Sequence, residues 1–254
     1  MLNEAENDQA PRQRTRFMWP ATAALLITNA IVWLLEMWVV QFHPHFEIDK
    51  YFALSVEGLR HGYIWQLLSY QFMHAVPAPW HLLVNSWIIF VFGRVVEITL
   101  GKKRMLWLYF LSGTVGGLVQ MAGMAFVPRL FGAGAAVGAS AGAFGLVAAF
   151  AMLYPLERLY VLLFFVIPLR MRATTFLWVA VGITLYGIFE PLFAKSLPSA
   201  LNLDNLFGNV AHAAHLGGIV TGCLLARQWA RRRVRTRIVE PETKTSLKIT
   251  PAPE

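Results

Sequence analysis

The sequence predicts an all-α, polytopic membrane protein of six transmembrane helices, and three observations carry that reading. Of its 254 residues, 57% are hydrophobic and 14% are charged, with a mean hydropathy of +0.52, a composition outside the range of soluble domains. Apolar runs long enough to cross a bilayer recur along the chain, separated by short charged or Pro-containing stretches. The charges are also one-sided. With both termini in the cytoplasm, only Lys50, Arg60, Arg129 and Lys195 of the 22 Lys and Arg fall on outer segments, as the positive-inside rule requires. The net charge of +8 would suit a nucleic-acid partner. Yet Arg227, Arg231, Arg232, Arg233, Arg235 and Arg237 directly follow the last apolar run, where they read as a juxtamembrane anchor. The lipid bilayer is therefore the expected partner, and nucleic acid is not. A single cysteine, Cys223, excludes an intramolecular disulfide. Glu4, Glu6 and Asp8 do not suit a transit peptide, and the first apolar run is too long for a signal peptide, so no cleavable leader is expected.

Residues 1–18 are polar and carry Arg12, Arg14 and Arg16, which predicts a cytoplasmic tail. Trp19 to Gln41 is the first helix, about 34 Å long and enough for a hydrocarbon core of about 30 Å. Its Glu36 is expected to face protein or lie near the outer boundary, since a carboxylate in lipid costs about 3 kcal/mol. Phe42 to Pro79 mixes charge with Trp65, Tyr70 and Phe72 and reads as a connection lying in the interface. Trp80 to Leu100 is helix 2, ended by Gly101. Met105 to Val127 is helix 3, with Gly113 and Gly117 as its packing face. Ser140 to Tyr154 is helix 4, and Pro155 to Arg172, with two prolines and three arginines, reads as a cytoplasmic loop with an apolar patch. Ala173 to Glu190 is helix 5, Pro191 to Leu203 an outer loop, and about Asp204 to Arg227 helix 6. The membrane domain thus spans residues 19–227. Residues 228–254, basic and then rich in Pro, Thr and Glu, read as a disordered cytoplasmic tail. No internal repeat is visible, which argues against a transporter of duplicated halves.

The chemistry is concentrated around the run from Gly132 to Gly145, GAGAAVGASAGAFG. Glycine at this density costs about 1 kcal/mol per residue in a helix interior, so the reading is a loop dipping into the membrane up to Ala139 and a helix beginning at Ser140. Counted from the cytoplasmic helix ends, Ser140, His215 and Asn85 come to depths of about 21, 18 and 24 Å, a shared level within the error of helix ends. A serine and a histidine at one depth on different helices can serve as nucleophile and general base. Gly218 and Gly222 recur on the face of His215, and Gly142, Gly145 and Ala149 give helix 4 a matching surface, so the two helices can approach closely. His81 and Asn85, one turn apart on helix 2, can both donate hydrogen bonds to an oxyanion, as can the N–H of Ser140. Each residue also has a blander reading. A serine in a Gly/Ala helix commonly bonds back to a carbonyl, a buried histidine is often a packing partner, and His212, one turn outward of His215, either lines the cavity or faces the interface, the second being the favoured reading. Arg94 and Glu97 are expected to pair at i, i+3. His81, His212 and His215 lack an accompanying acidic or thiolate ligand, so no metal is expected.

Three motifs in order on helices 2, 4 and 6 carry a resemblance: His81-x-x-x-Asn85, Gly138-Ala139-Ser140-Ala141 and Ala214-His215-x-x-Gly218-x-x-x-Gly222. Together with Gly93-x-x-x-Glu97 and the segment from Trp65 to His74, the chain from about 19 to 227 resembles the rhomboid family of intramembrane serine proteases. That resemblance implies a six-helix rhomboid-like bundle in a cell (inner) membrane, with Ser140 as nucleophile and His215 as base in a dyad without a third carboxylate. His81 and Asn85 would form the oxyanion site, Phe144 would stack on His215, and Gly138, Gly218 and Gly222 would support the geometry. It further implies transmembrane protein substrates cut near the outer boundary at small residues, a water path from outside, and no cofactor. The sequence departs from the family pattern at Ala141, where many members have Gly, at Trp65-Gln66, where the family has Trp-Arg, and at Pro77 and Pro79 ahead of helix 2. The alternative reading is a catalytically silent rhomboid-fold protein that binds membrane helices without cutting them; a channel or transporter comes third.

Overall fold

The computed structural model describes residues 19–77, 79–163, 167–193 and 210–239. Among the described residues there are six long helices: α1 Pro20–Phe42, α2 Trp80–Leu100, α3 Lys102–Phe126, α4 Ser140–Leu153, α5 Ala173–Phe189 and α6 His212–Val239. Four of them (α1, α2, α3, and α5 extended to Leu192) are long and apolar enough to cross a membrane. At 14 residues α4 is shorter, about 21 Å. Gly101 (φ +85°) makes the turn from α2 to α3, a backbone conformation that favours glycine. Within α2 a π-helical turn covers Ile89–Gly93.

The innermost helix is α4, with Ala141–Ala143 and Gly145–Ala151 buried, and α3 and α6 clasp it. Glycines set the spacing. A Cβ at Gly218 would overlap the carbonyl of Ala141, and one at Gly222 would overlap the carbonyl of Gly145. A Cβ at Gly217 would fall 2.8 Å from the Cα of Gly116. The α3 face differs from expectation. Gly113 and Gly117 receive the side chains of Gln71, Tyr70 and Leu54 from the connection ahead of α2, and Gly116 is the position that meets α6. Gly142 likewise lies against Tyr109 of α3 rather than α6.

The first connection folds into short helices, Ile48–Phe52, Val56–Arg60 and Gln66–Ser69. Gln66 anchors it: fully buried, its Oε1 accepts from the Ser55 N–H (3.2 Å) and its Nε2 donates to the Lys50 carbonyl (2.9 Å). Trp65 Nε1 donates to the Tyr51 carbonyl at 2.8 Å. The glutamine thus fixes the loop by hydrogen bonds that need no charge. Glu36 is buried against protein and accepts from the His74 N–H at 3.1 and 3.2 Å.

Four expectations are corrected. Arg94 and Glu97 do not pair. The Arg94 guanidinium lies over the Phe90 ring, 4.8 Å from its centroid. Glu97 accepts from the Ala21 N–H (2.9 Å), the Thr22 N–H (2.7 Å) and the Thr22 hydroxyl (2.7 Å), because the open end of α1 offers a carboxylate more than a solvated cation does. The segment read as a loop from Pro155 to Arg172 is an antiparallel hairpin, β3 Arg158–Leu163 with β4 Ile167–Arg172 in the register Arg158↔Arg172. Its Leu-Tyr-Val-Leu-Leu run suits a strand, and a two-stranded ribbon tolerates Pro168 because both strands are edges. A second pairing, β1 Leu54–Ser55 with β2 Ala135–Ala136, adds strand to a chain expected to be all-α. Finally, α6 continues past Arg227 to Val239, since residues 228–239 contain neither Gly nor Pro and arginine is a good helix former. The expected start of helix 6 near Asp204, residues 1–18 and residues 240–254 lie outside the described residues.

Candidate active site

Ser140 stands at the first position of α4, presented by the glycine-rich segment before it. That segment is held from two directions: Ala136 pairs with Leu54, and the Gly138 N–H donates to the Tyr70 carbonyl at 2.9 Å. Gly138 has φ +128°, and a Cβ there would fall 2.8 Å from both Cε1 and Nε2 of His81 and 3.6 Å from Ser140 Oγ. Only glycine fits between the serine and the ring. Ala139, the residue capping α4, supplies no side-chain acceptor.

Opposite stands α6. Its Gly218 and Gly222 bring it against α4, and Ser140 Oγ lies 2.8 Å from His215 Nε2. The His215 ring is buried and stacks on Phe144, one turn along α4, with centroids 4.4 Å apart and planes at 24°. The start of α6 is fixed by Gln120 of α3, whose Oε1 accepts from the Ala214 N–H at 3.3 Å. Sequence reasoning missed Gln120; its signal is a lone amide in the apolar run of helix 3.

From α2, His81 Nδ1 accepts from the Ala75 N–H at 3.4 Å. A neutral imidazole accepting at Nδ1 carries its proton on Nε2, the edge it presents toward Gly138. Asn85, one turn along the same face, is buried, and its Nδ2 has no hydrogen-bond partner among the described residues. The expectation for His212 is corrected. It is buried beside His215, ring centroids 6.0 Å apart, and packs where a Cβ on Gly187 of α5 would be. Among the described residues no group of three or more His, Cys, Asp or Glu is arranged to hold a metal ion.

Fold and site together define an integral membrane protein of apolar helices in which a serine and a histidine on separate helices share a hydrogen bond at a glycine-lined contact. The family model described as "Rhomboid domain" matches residues 61–232, and the chain belongs to the rhomboid family. It is also similar to "Putative rhomboid protease YdcA" of Bacillus subtilis (strain 168), 30% identical over 104 residues, which is 40% of this chain and 49% of that protein. The chain therefore spans about half the length of the curated relative it matches.

Proposed function

We propose that this protein is an intramembrane serine endopeptidase that hydrolyses peptide bonds in transmembrane-helix substrates near the outer membrane boundary. The observation that carries the reading is the 2.8 Å contact between Ser140 Oγ and His215 Nε2, with the ring held by Phe144. In this mechanism the hydroxyl donates to Nε2, and His215 takes the proton as Oγ attacks the scissile carbonyl carbon. The resulting oxyanion is received by His81 Nε2–H, by Asn85 Nδ2 and by N–H groups at the uncapped start of α4, donors in place before charge develops. His215 then protonates the leaving amine, and water hydrolyses the acyl-serine with the same base. Gly138, Gly218 and Gly222 act through spacing. The reading includes six membrane crossings with both termini in the cytoplasm, on the distribution of Lys and Arg.

The test is cleavage of a model type I membrane substrate by purified protein in liposomes, with the cut mapped by mass spectrometry. A cut near the outer boundary, lost in Ser140→Ala and in His215→Ala, supports the dyad. A cut that survives Ser140→Ala overturns it, and a folded wild type that binds several substrates and cuts none supports a binding protein of the same fold.

A further inference from the structure

Outside the serine site, the β3–β4 hairpin sets three arginines around one cavity. Its register sets Arg158 directly across from Arg172. Like charges opposite one another on a ladder are destabilising, and no carboxylate relieves them: neither these two nor Arg170 has an ion pair among the described residues, and Glu157, adjoining Arg158, pairs with none of them. Arg158, Arg170 and Arg172, with Met171 and Thr175, line an open cavity of about 460 Å³. Arg170 is held in place by Tyr160, its cross-strand partner, whose ring centroid lies 5.6 Å from the guanidinium carbon.

We propose that this cavity seats the phosphate of an anionic membrane phospholipid. Guanidinium groups bind phosphate oxygens in bidentate pairs, and three of them converge here with the Thr175 hydroxyl beside them. Position decides for a lipid over a free anion. The cavity opens where the apolar run of α5 begins, at Ala173, so a phosphate among the arginines stands at headgroup level. Trp178, three residues beyond Thr175 and hence on the same helix face, is 73% exposed and offers its ring to the glycerol and acyl region. Leu156 and Tyr160, equally exposed, extend the apolar surround on the hairpin side. This inference is independent of whether Ser140 cuts anything.

The experiment is lipid retention by the full chain, read by native mass spectrometry after purification from micelles mixed with phosphatidylglycerol or with phosphatidylcholine. Wild type is compared with Arg158→Gln/Arg170→Gln/Arg172→Gln and with Lys102→Gln/Lys103→Gln/Arg104→Gln, which removes equal charge elsewhere; far-UV circular dichroism verifies that each is folded. The expected result is selective retention of phosphatidylglycerol that falls roughly fivefold per arginine removed, on the order of a hundredfold for the hairpin triple, and is kept by the control triple. Equal losses in both triples would show unspecific charge attraction and overturn the site. So would displacement of the lipid by inorganic phosphate at comparable concentration, which would assign the cavity to a free anion. If the folded hairpin triple holds phosphatidylglycerol as wild type does, the proposal fails.

Discussion

Replacing Glu97 by Gln is expected to lower stability by about 3 kcal/mol, and the figure follows from how α1 begins. Pro20 has no N–H, and the Ala23 N–H bonds to the Trp19 carbonyl at 3.2 Å. The Ala21 and Thr22 N–H groups are left over, and both go to Glu97, along with the Thr22 hydroxyl. A glutamine oxygen placed where Oε2 stands keeps the two Thr22 bonds, but its amide nitrogen then meets the Ala21 N–H donor to donor. Burying that donor unpaired costs about 1–3 kcal/mol. The two bonds kept lose their charge assistance, roughly half their strength, and the interaction of a carboxylate with a helix N-terminus, about 0.3–2 kcal/mol, disappears. Thr22→Val removes a single bond, for about 1.5 kcal/mol. Because the residues share that bond, the double variant is expected to fall short of the sum. Equilibrium unfolding in mixed dodecyl maltoside and SDS micelles, followed by far-UV circular dichroism, measures all three. A Glu97→Gln variant within about 0.5 kcal/mol of wild type, or full additivity with Thr22→Val, would refute the reasoning.

Other expectations follow from the same contacts. Gly218→Ala forces α6 back from the Ala141 carbonyl by about 1 Å and is expected to cut turnover of the model substrate about 100-fold, whereas Gly182→Ala, with nothing within 4 Å of its added Cβ, leaves it unchanged; equal kinetics for the two would count against glycine spacing. Asn85→Leu is expected to reduce cleavage by about 100-fold while leaving stability equal or higher, because it removes a buried donor that has no partner; a large loss in the same unfolding assay would show that Asn85 is structural. His74 is held neutral by burial and by His81 beside it, which lower its pKa to about 4 from 6.5. The unfolded chain then binds a proton that the folded one does not, so stability is complete above pH 6.5 and falls by about 1.4 kcal/mol per unit as pH drops toward 4. Unfolding of wild type and His74→Gln between pH 7.5 and 4.5 tests this; identical slopes would assign the pH dependence elsewhere.

What was legible in the sequence was whatever apolar periodicity and small-residue spacing encode. The helix bounds agree with the reading to within a few residues at α1, α2, α4 and α5; residue counts from helix ends put Ser140 and His215 at one depth, and the small residues of helices 4 and 6 point to their close approach. Polar groups that reach across the bundle were harder to place. In sequence Glu97 has Arg94 as its nearest candidate partner, and nothing local announces that its partners are Ala21 and Thr22. Gln120 and Gln66 went unassigned for a related reason: each satisfies backbone groups of another segment, and that need is visible only once segments are docked. The hairpin is hidden by Pro155 just ahead of it, by Pro168 and by its arginines, which on a single sequence mark a loop, although a two-stranded ribbon tolerates a proline on an edge strand. The α3 glycines show the limit of periodicity, since Gly113, Gly116 and Gly117 are all small and only the docked chain tells which one meets a helix.

The pairing of Ala136 with Leu54 and the bond from Gly138 to Tyr70 work as a ruler. They clamp the chain two and four residues ahead of Ser140, so one residue inserted or deleted between Ala136 and Ser140 would turn the start of α4 away from His215. On the other side of the clamp, Gly132 and Gly134 stand exposed with nothing within 4 Å of an added Cβ. Extra length there would loop outward without reaching the serine. Variation in chain length is thus permitted from Gly132 to Gly134 and forbidden after Ala135, which makes those three residues the place to splice in a tag or reporter without disturbing the site.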